Sequence, residues 1–326
     1  MATARRIKGI DCGGPAIAGI RRALMERFDE MQELRRDALK WKDPEGVHSM
    51  RVASRRLRSA LSDFMPYLNK RSLNRTRKKI RSIADALGQV RDQDVAISAL
   101  EKLVSQTPPE SARTLEALII ARKEIRRAAR QKLKKTLVKD RLKEVGSDLQ
   151  LAITPEAVQQ KQTSVDSYID VARAVINARI KDLEKLSDSF YRPLEAKPLH
   201  DIRISAKRLR YAIELFAGCC GSKILPFAHE AAHLQSALGK LHDCDVWIES
   251  FGHEIVASKK LKRQEQTNTF VWLFNHFNAL RNIHFQEAFL LWNAWEDGQS
   301  SNRLKEALRE EVEASRLGEK SKFRID

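Results

Sequence analysis

Along most of the chain, apolar side chains return at every third or fourth position, the spacing that gathers them on one side of an α-helix. Ile17, Ile20, Leu24, Phe28, Met31, Leu34, Ala38 and Trp41 predict a first helix over 16–41. Asp43-Pro44 stops it and opens the next, with proline in the first turn. That second helix runs to about residue 68, and a third is predicted over 72–105, ahead of Pro108-Pro109. A fourth is predicted over 110–145, with Leu118, Ile125, Ala129, Leu133 and Leu137 as its apolar side. The stretch 151–164 is polar, contains Pro155 and loses the period, so it reads as a linker. Beyond it the pattern resumes, with helices predicted over 165–190, 198–218, 223–257 and 260–297. No stretch alternates with a period of two, so the expected fold class is all-α, built as two tandem four-helix bundles. The expected divisions are a leader 1–15, a first bundle 16–150, the linker 151–164, a second bundle 165–298 and a charged tail 299–326, partly helical near 304–308.

The two halves share more than a pattern. Residues 47–64 and 199–216 align without a gap and share His48/His200, Arg51/Arg203, Arg56/Arg208, Leu57/Leu209, Arg58/Arg210, Ala60/Ala212 and Phe64/Phe216. This is an internal repeat, and two similar halves are expected to pack about a pseudo-twofold axis. On a helix the first copy gathers Met50, Ala53, Leu57, Ala60, Leu61 and Phe64 on one side and His48, Arg51, Arg55 and Arg58 on the other. In the second copy Ile202, Leu209, Ala212, Ile213 and Phe216 lie inside, and His200, Arg203, Lys207 and Arg210 form the cationic stripe. A solvated helix face usually mixes acids among its bases, yet between Val47 and Arg81 eleven Lys/Arg stand against the single acid Asp63. The two stripes are expected to face each other across the interface of the halves, around an anion that the chain does not supply.

A second motif follows each stripe. Leu87-Gly-Gln-Val-Arg-Asp-Gln-Asp-Val95 and Leu238-Gly-Lys-Leu-His-Asp-Cys-Asp-Val246 place Asp92 and Asp243 44 and 43 residues after His48 and His200. Together with His-x-x-Arg-x-x-x-(Arg/Lys)-Arg-Leu-Arg, present twice, these motifs resemble the CHAD family, the conserved histidine α-helical domain, over roughly 16–298. The resemblance implies two four-helix bundles around a basic cavity that binds inorganic polyphosphate, and association with polyphosphate granules in the cell. Catalytic relatives of that family owe triphosphate hydrolysis to a separate tunnel domain with a Glu-x-Glu-x-Lys signature. This chain has none, so a binding module without cofactor is expected rather than an enzyme.

Charge narrows the partner to a polyanion. The 326 residues carry 60 Lys+Arg against 43 Asp+Glu, a formal net charge of +17. Arginine matches two phosphate oxygens with one planar fork, and a histidine beside phosphate is held protonated. Bases one turn apart, about 5.4 Å, can follow a linear chain of phosphates. The site expected from this comprises His48, Arg51, Arg55, Arg56, Arg58, His200, Arg203, Lys207, Arg208 and Arg210, joined by Lys123, Arg127, Arg130 and Lys134 on the outer side of the fourth helix. In that helix eleven Lys/Arg stand against two acids between Arg122 and Lys143. Non-specific nucleic-acid binding is the alternative. The basic stretches 70–82 and 122–143 contain no aromatic residue on which a base could stack, which favours a partner without bases.

Two constellations could carry other chemistry. Asp92/Asp94 and Asp243/Asp245 could hold Mg²⁺ for a metal-dependent phosphohydrolase, but residues two apart on a continuous helix point about 160° apart. Asp94 and Asp245 are instead read as carboxylates that orient a stripe Arg or His. His229-Glu-Ala-Ala-His233 formally matches a zinc-peptidase helix, yet no third ligand is evident, and His229 falls where the first copy has Lys78. The cysteines Cys12, Cys219, Cys220 and Cys244 form no Cys-x-x-Cys pair and are expected as reduced thiols in a cytoplasm. No signal peptide and no membrane-spanning stretch is expected.

Overall fold

The computed structural model describes residue 5, residues 7–154 and residues 167–322. Of the expected divisions, 1–4 and 6 of the leader, 155–164 of the linker, 165–166 of the second bundle and 323–326 of the tail lie outside the described residues. The first half contains α1 (Ala16–Glu33), a short α2 (Arg35–Ala38), α3 (Glu45–Asp63), α4 (Lys70–Leu103), α5 (Ala112–Thr136) and α6 (Lys139–Ala152). The second contains α7 (Tyr168–Glu184), α8 (Ala196–Phe216), α9 (Leu225–Lys260), α10 (Gln264–Asp297) and α11 (Ser300–Lys322). Among the described residues the β structure amounts to one isolated bridge, Pro15 to Ser167, so the fold is all-α. Among the described residues no helix is long and apolar enough to cross a membrane.

Each copy ends in a helix that its period does not predict, and the predicted first helix is split into α1 and α2. The fourth helix breaks at Leu137-Val138, and α6 folds back onto α1. In the second copy the chain breaks at Gln299, which takes a φ of 47°, and α11 packs on α7 in the same relation. The expected tail therefore begins as a packed helix, anchored by the fully buried Leu304 and Leu308. Few apolar residues in a charged stretch gave the period little to work on. The predicted apolar side of α5 is also turned. Leu115, Ile119, Ala129 and Leu133 are buried while Ile125 is exposed, and Arg126 takes the inward position because an acid on α4 receives it.

The leader is not loose where it is described. Tyr168 N donates to Gly14 O at 3.1 Å, Ile169 N donates to Cys12 O at 2.9 Å, and Ile7 is buried in the core. Cys12 and Cys219, 207 residues apart, form a disulfide with a Cα–Cα distance of 5.4 Å. This corrects the expectation of four reduced thiols, and with it the argument from cysteines to a cytoplasm. Cys220 and Cys244 are both buried. The pairing follows from the path of the strap over the end of α8, a tertiary feature that spacing along the chain does not encode.

The buried side chains sort into two clusters, and each draws on both copies of the repeat. One gathers α1, α3, α7 and α8 with the first halves of α4 and α9. At its centre the equivalent residues Phe64 and Phe216 meet edge to face, 5.8 Å between ring centroids. The other cluster forms where the long helices α4 and α9, each about 50 Å by their residue count, run past the first. Ile97 and Leu100 of α4 and Leu115 of α5 there meet Trp247 and Phe251 of α9 and Phe270 and Phe277 of α10. The aromatic run of α10 is core at both ends, with Trp292 and Trp295 in the first cluster.

Candidate functional site

Helices α3 and α8 cross at the centre of the molecule, their apolar sides turned into the shared core and their stripes turned to one another. Arg55 of α3 is the like charge that acts most strongly on both Arg203 and Lys207 of α8, and Arg203 in turn acts on Arg51. Burial, then Arg55 and Arg203, push the Lys207 ammonium down to about 7. Burial, then Arg55, brings Arg51 down to about 10. Cations that depress each other's protonation in this way carry more positive charge than Asp92 and Asp243 beside them offset.

The second motif supplies the floor. A Cβ placed on Gly88 of α4 would lie 3.8 Å from Arg51 Nε, and one on Gly239 of α9 would lie 3.8 Å from Arg203 Nε. Each glycine thus lies directly against the guanidinium of the stripe above it. Arg51 Nη2 donates to Asp92 Oδ1 at 3.2 Å, and Asp243 stands in the field of Arg203 as the equivalent acid. The histidines are half-buried. Burial, then Arg91, lowers His48, whereas burial, then Arg203, lowers His200. His200 Nδ1 lies 3.3 Å from Nδ1 of His242, which burial and Arg203 bring down to about 4. Arg91 and His242 were not among the expected site residues. They occupy one equivalent position, between glycine and the first aspartate of each second motif, and that shared position is the signal that could have found them.

Several expected residues lie elsewhere. Arg56 and Arg210 are buried, at 5% and 8% exposure, and belong to an internal ion network. Arg56 reaches Glu30 at 3.4 Å and Glu214 at 3.3 Å, while Arg210 Nε donates to Glu214 at 2.7 Å. The repeat is broken here, because Arg58, the counterpart of Arg210, is exposed, and so is Arg208, the counterpart of Arg56. Asp94 and Asp245 do not orient the stripes. Asp94 accepts from Arg126 of α5 at 3.1 Å, with Arg130 at 3.8 Å, and Asp245 accepts from Arg281 of α10 at 2.6 Å. Both α4 and α9 run unbroken through their glycines, so the two carboxylates of each pair point away from one another.

On the Asp94 side of α4, Lys123, Arg127 and Arg130 line a separate hollow of about 460 Å³ beneath Trp41, whose ring faces the Arg130 guanidinium at 5.2 Å. Lys134 is exposed beyond it. His229 and His233 are exposed on the wall of another cavity, and the intervening Glu230 accepts from Ser300 Oγ at 2.6 Å. Among the described residues no group of three or more His, Cys, Asp or Glu is placed to hold a metal ion.

Fold and site together define an all-α protein with an internal repeat whose equivalent basic helices, α3 and α8, pack against each other. The sequence profile of the CHAD domain matches residues 22–251, and the chain belongs to that family. Its fold is similar to the crystal structure of the CHAD domain from the plant Ricinus communis, with a TM-score of 0.68 at 22% identity, covering 90% of this chain and 97% of that one. It is also similar to PptA from Streptomyces chartreusis, with a TM-score of 0.59 at 14% identity, covering 86% of this chain and all of that one, 100%. Among curated proteins, the uncharacterized protein Rv2226 of Mycobacterium tuberculosis is 26% identical over 254 residues, or 75% of this chain. The chain spans about half the length of that relative, 47%.

Proposed function

We propose that the groove between α3 and α8 binds inorganic polyphosphate and that the protein works as a binding module, associated with polyphosphate granules. The family's association with polyphosphate supports this reading. The observation that carries it is the mutual opposition of Arg51, Arg55, Arg203 and Lys207 with so little acid between them. A chain of phosphates threaded between the stripes would relieve that repulsion on both walls at once, with forked contacts from arginine. His48, His200, Arg58 and Arg208 extend the track at its edges. Arg56 and Arg210 hold the helices beneath it, and Asp92 keeps Arg51 extended. Lys123, Arg127, Arg130 and Lys134 offer a further anion contact on the far side of α4.

Binding is driven by charge, so affinity falls steeply with salt. The test is competition at near-physiological salt between labelled polyphosphate and duplex DNA. Polyphosphate displacing DNA at equal phosphate concentration is the expected result. Equal competition would make the groove a generic polyanion surface and favour a nucleic-acid partner.

A further inference from the structure

The N-terminal strap covers a second cavity, of about 910 Å³, on the side of α8 away from the groove cations. Strap residues 7–10 form one wall, and the end of α8 and the first turns of α9 form the rest, with Leu215, Ala228 and Ala232 in the apolar lining. The volume lies within the range of small-molecule sites, which combine apolar walls with a few polar groups. The single acid of the lining, Glu214, is already held by Arg56 and Arg210. At the rim the exposed Lys8 has no acid partner among the described residues, and the imidazoles of His229 and His233 stand on the same wall. Tyr168 also lines the cavity, and its buried hydroxyl has no hydrogen-bond partner among the described residues. A buried donor left open is costly, and an oxygen brought by a ligand would satisfy it.

We propose that this cavity is a second binding site, for a small amphipathic anion with an apolar body like a medium-length acyl chain and one acidic head near Lys8. The apolar walls take the body, and the uncancelled positive charge at the rim selects the head. The Cys12–Cys219 disulfide controls the site, because Cys219 lines the cavity and Cys12 ties down the strap that forms its lid. A small dithiol opens it by giving up two electrons. Cys12 and Cys219 each gain a proton and become thiols, while the dithiol closes to its own cyclic disulfide.

Calorimetric titration of the oxidised 326-residue chain with decanoate tests this. Saturable binding of one decanoate is expected, weakened at least tenfold by Lys8→Glu and by Ala232→Phe, which fills the cavity. Prior reduction with dithiothreitol is expected to weaken it at least threefold. The Arg51→Ala/Arg203→Ala variant is expected to bind decanoate as the wild type does, which separates this site from the polyphosphate groove. Absence of saturable binding, or an unchanged affinity in Lys8→Glu, overturns the site. Affinity indifferent to reduction overturns the role of the disulfide.

Discussion

Burial among Arg55, Arg203, Arg208 and Arg58 brings Lys207 down to about 7, so it changes charge in the physiological range. A bound polyanion favours the ammonium and raises that value, so binding takes up a proton above pH 7 and weakens as pH rises. Between pH 6 and pH 8 the charged fraction of a group titrating near 7 falls from about nine in ten to about one in ten. The affinity for long-chain polyphosphate is therefore expected to drop about tenfold over that interval, with Lys207→Arg removing most of the slope. A slope that survives in Lys207→Arg would assign the dependence to His48 and His200, which burial also lowers. The stripe residues were legible in the sequence because a one-signed helix face is a local pattern, repeated. Which of them are buried was not. Arg56 and Arg210 are committed to Glu30 and Glu214, partners on other helices that local spacing cannot assign.

At the level of the helices, the second motif fits α4 and α9 beneath the stripes. A Cβ on Gly88 makes ordinary contact with Arg51, so Gly88→Ala is expected to fit and, by removing a mid-helix glycine, to stabilise the protein by about 0.5–1 kcal/mol in denaturant unfolding. Gly88→Leu is expected to push the guanidinium off Asp92 and weaken polyphosphate binding about tenfold with the fold intact. Full affinity in the leucine variant would show that the glycine does not place Arg51. The period of the chain predicted these helices and their glycines, yet it assigned Asp94 and Asp245 to the wrong neighbours. Periodicity tells which side of a helix is apolar, whereas the polar flanks of α4 face α3 on one side and α5 on the other. Asp92 takes the first neighbour through Arg51, and Asp94 takes the second through Arg126.

Across the whole molecule, duplication was plain in the sequence and the way the copies interlock was not. Both cores draw on both copies, so neither half owns its own interior, and the strap joins the two ends of the fold through a disulfide spanning 207 residues. Closing so long a loop restricts the unfolded chain, and Cys12→Ser is expected to lower stability by about 2–4 kcal/mol. Thermal unfolding would check this, with reduction bringing the wild type down to the variant; a wild type indifferent to reductant would refute it. The central claim is that polyphosphate is held between the two stripes rather than by net charge. Its most direct test compares the polyphosphate affinity of Arg51→Ala/Arg203→Ala with that of Lys259→Ala/Lys260→Ala, which removes the same charge at the far end of α9. The account predicts a loss of about a hundredfold or more in the first and no more than about threefold in the second. Equal losses in the two variants would contradict it.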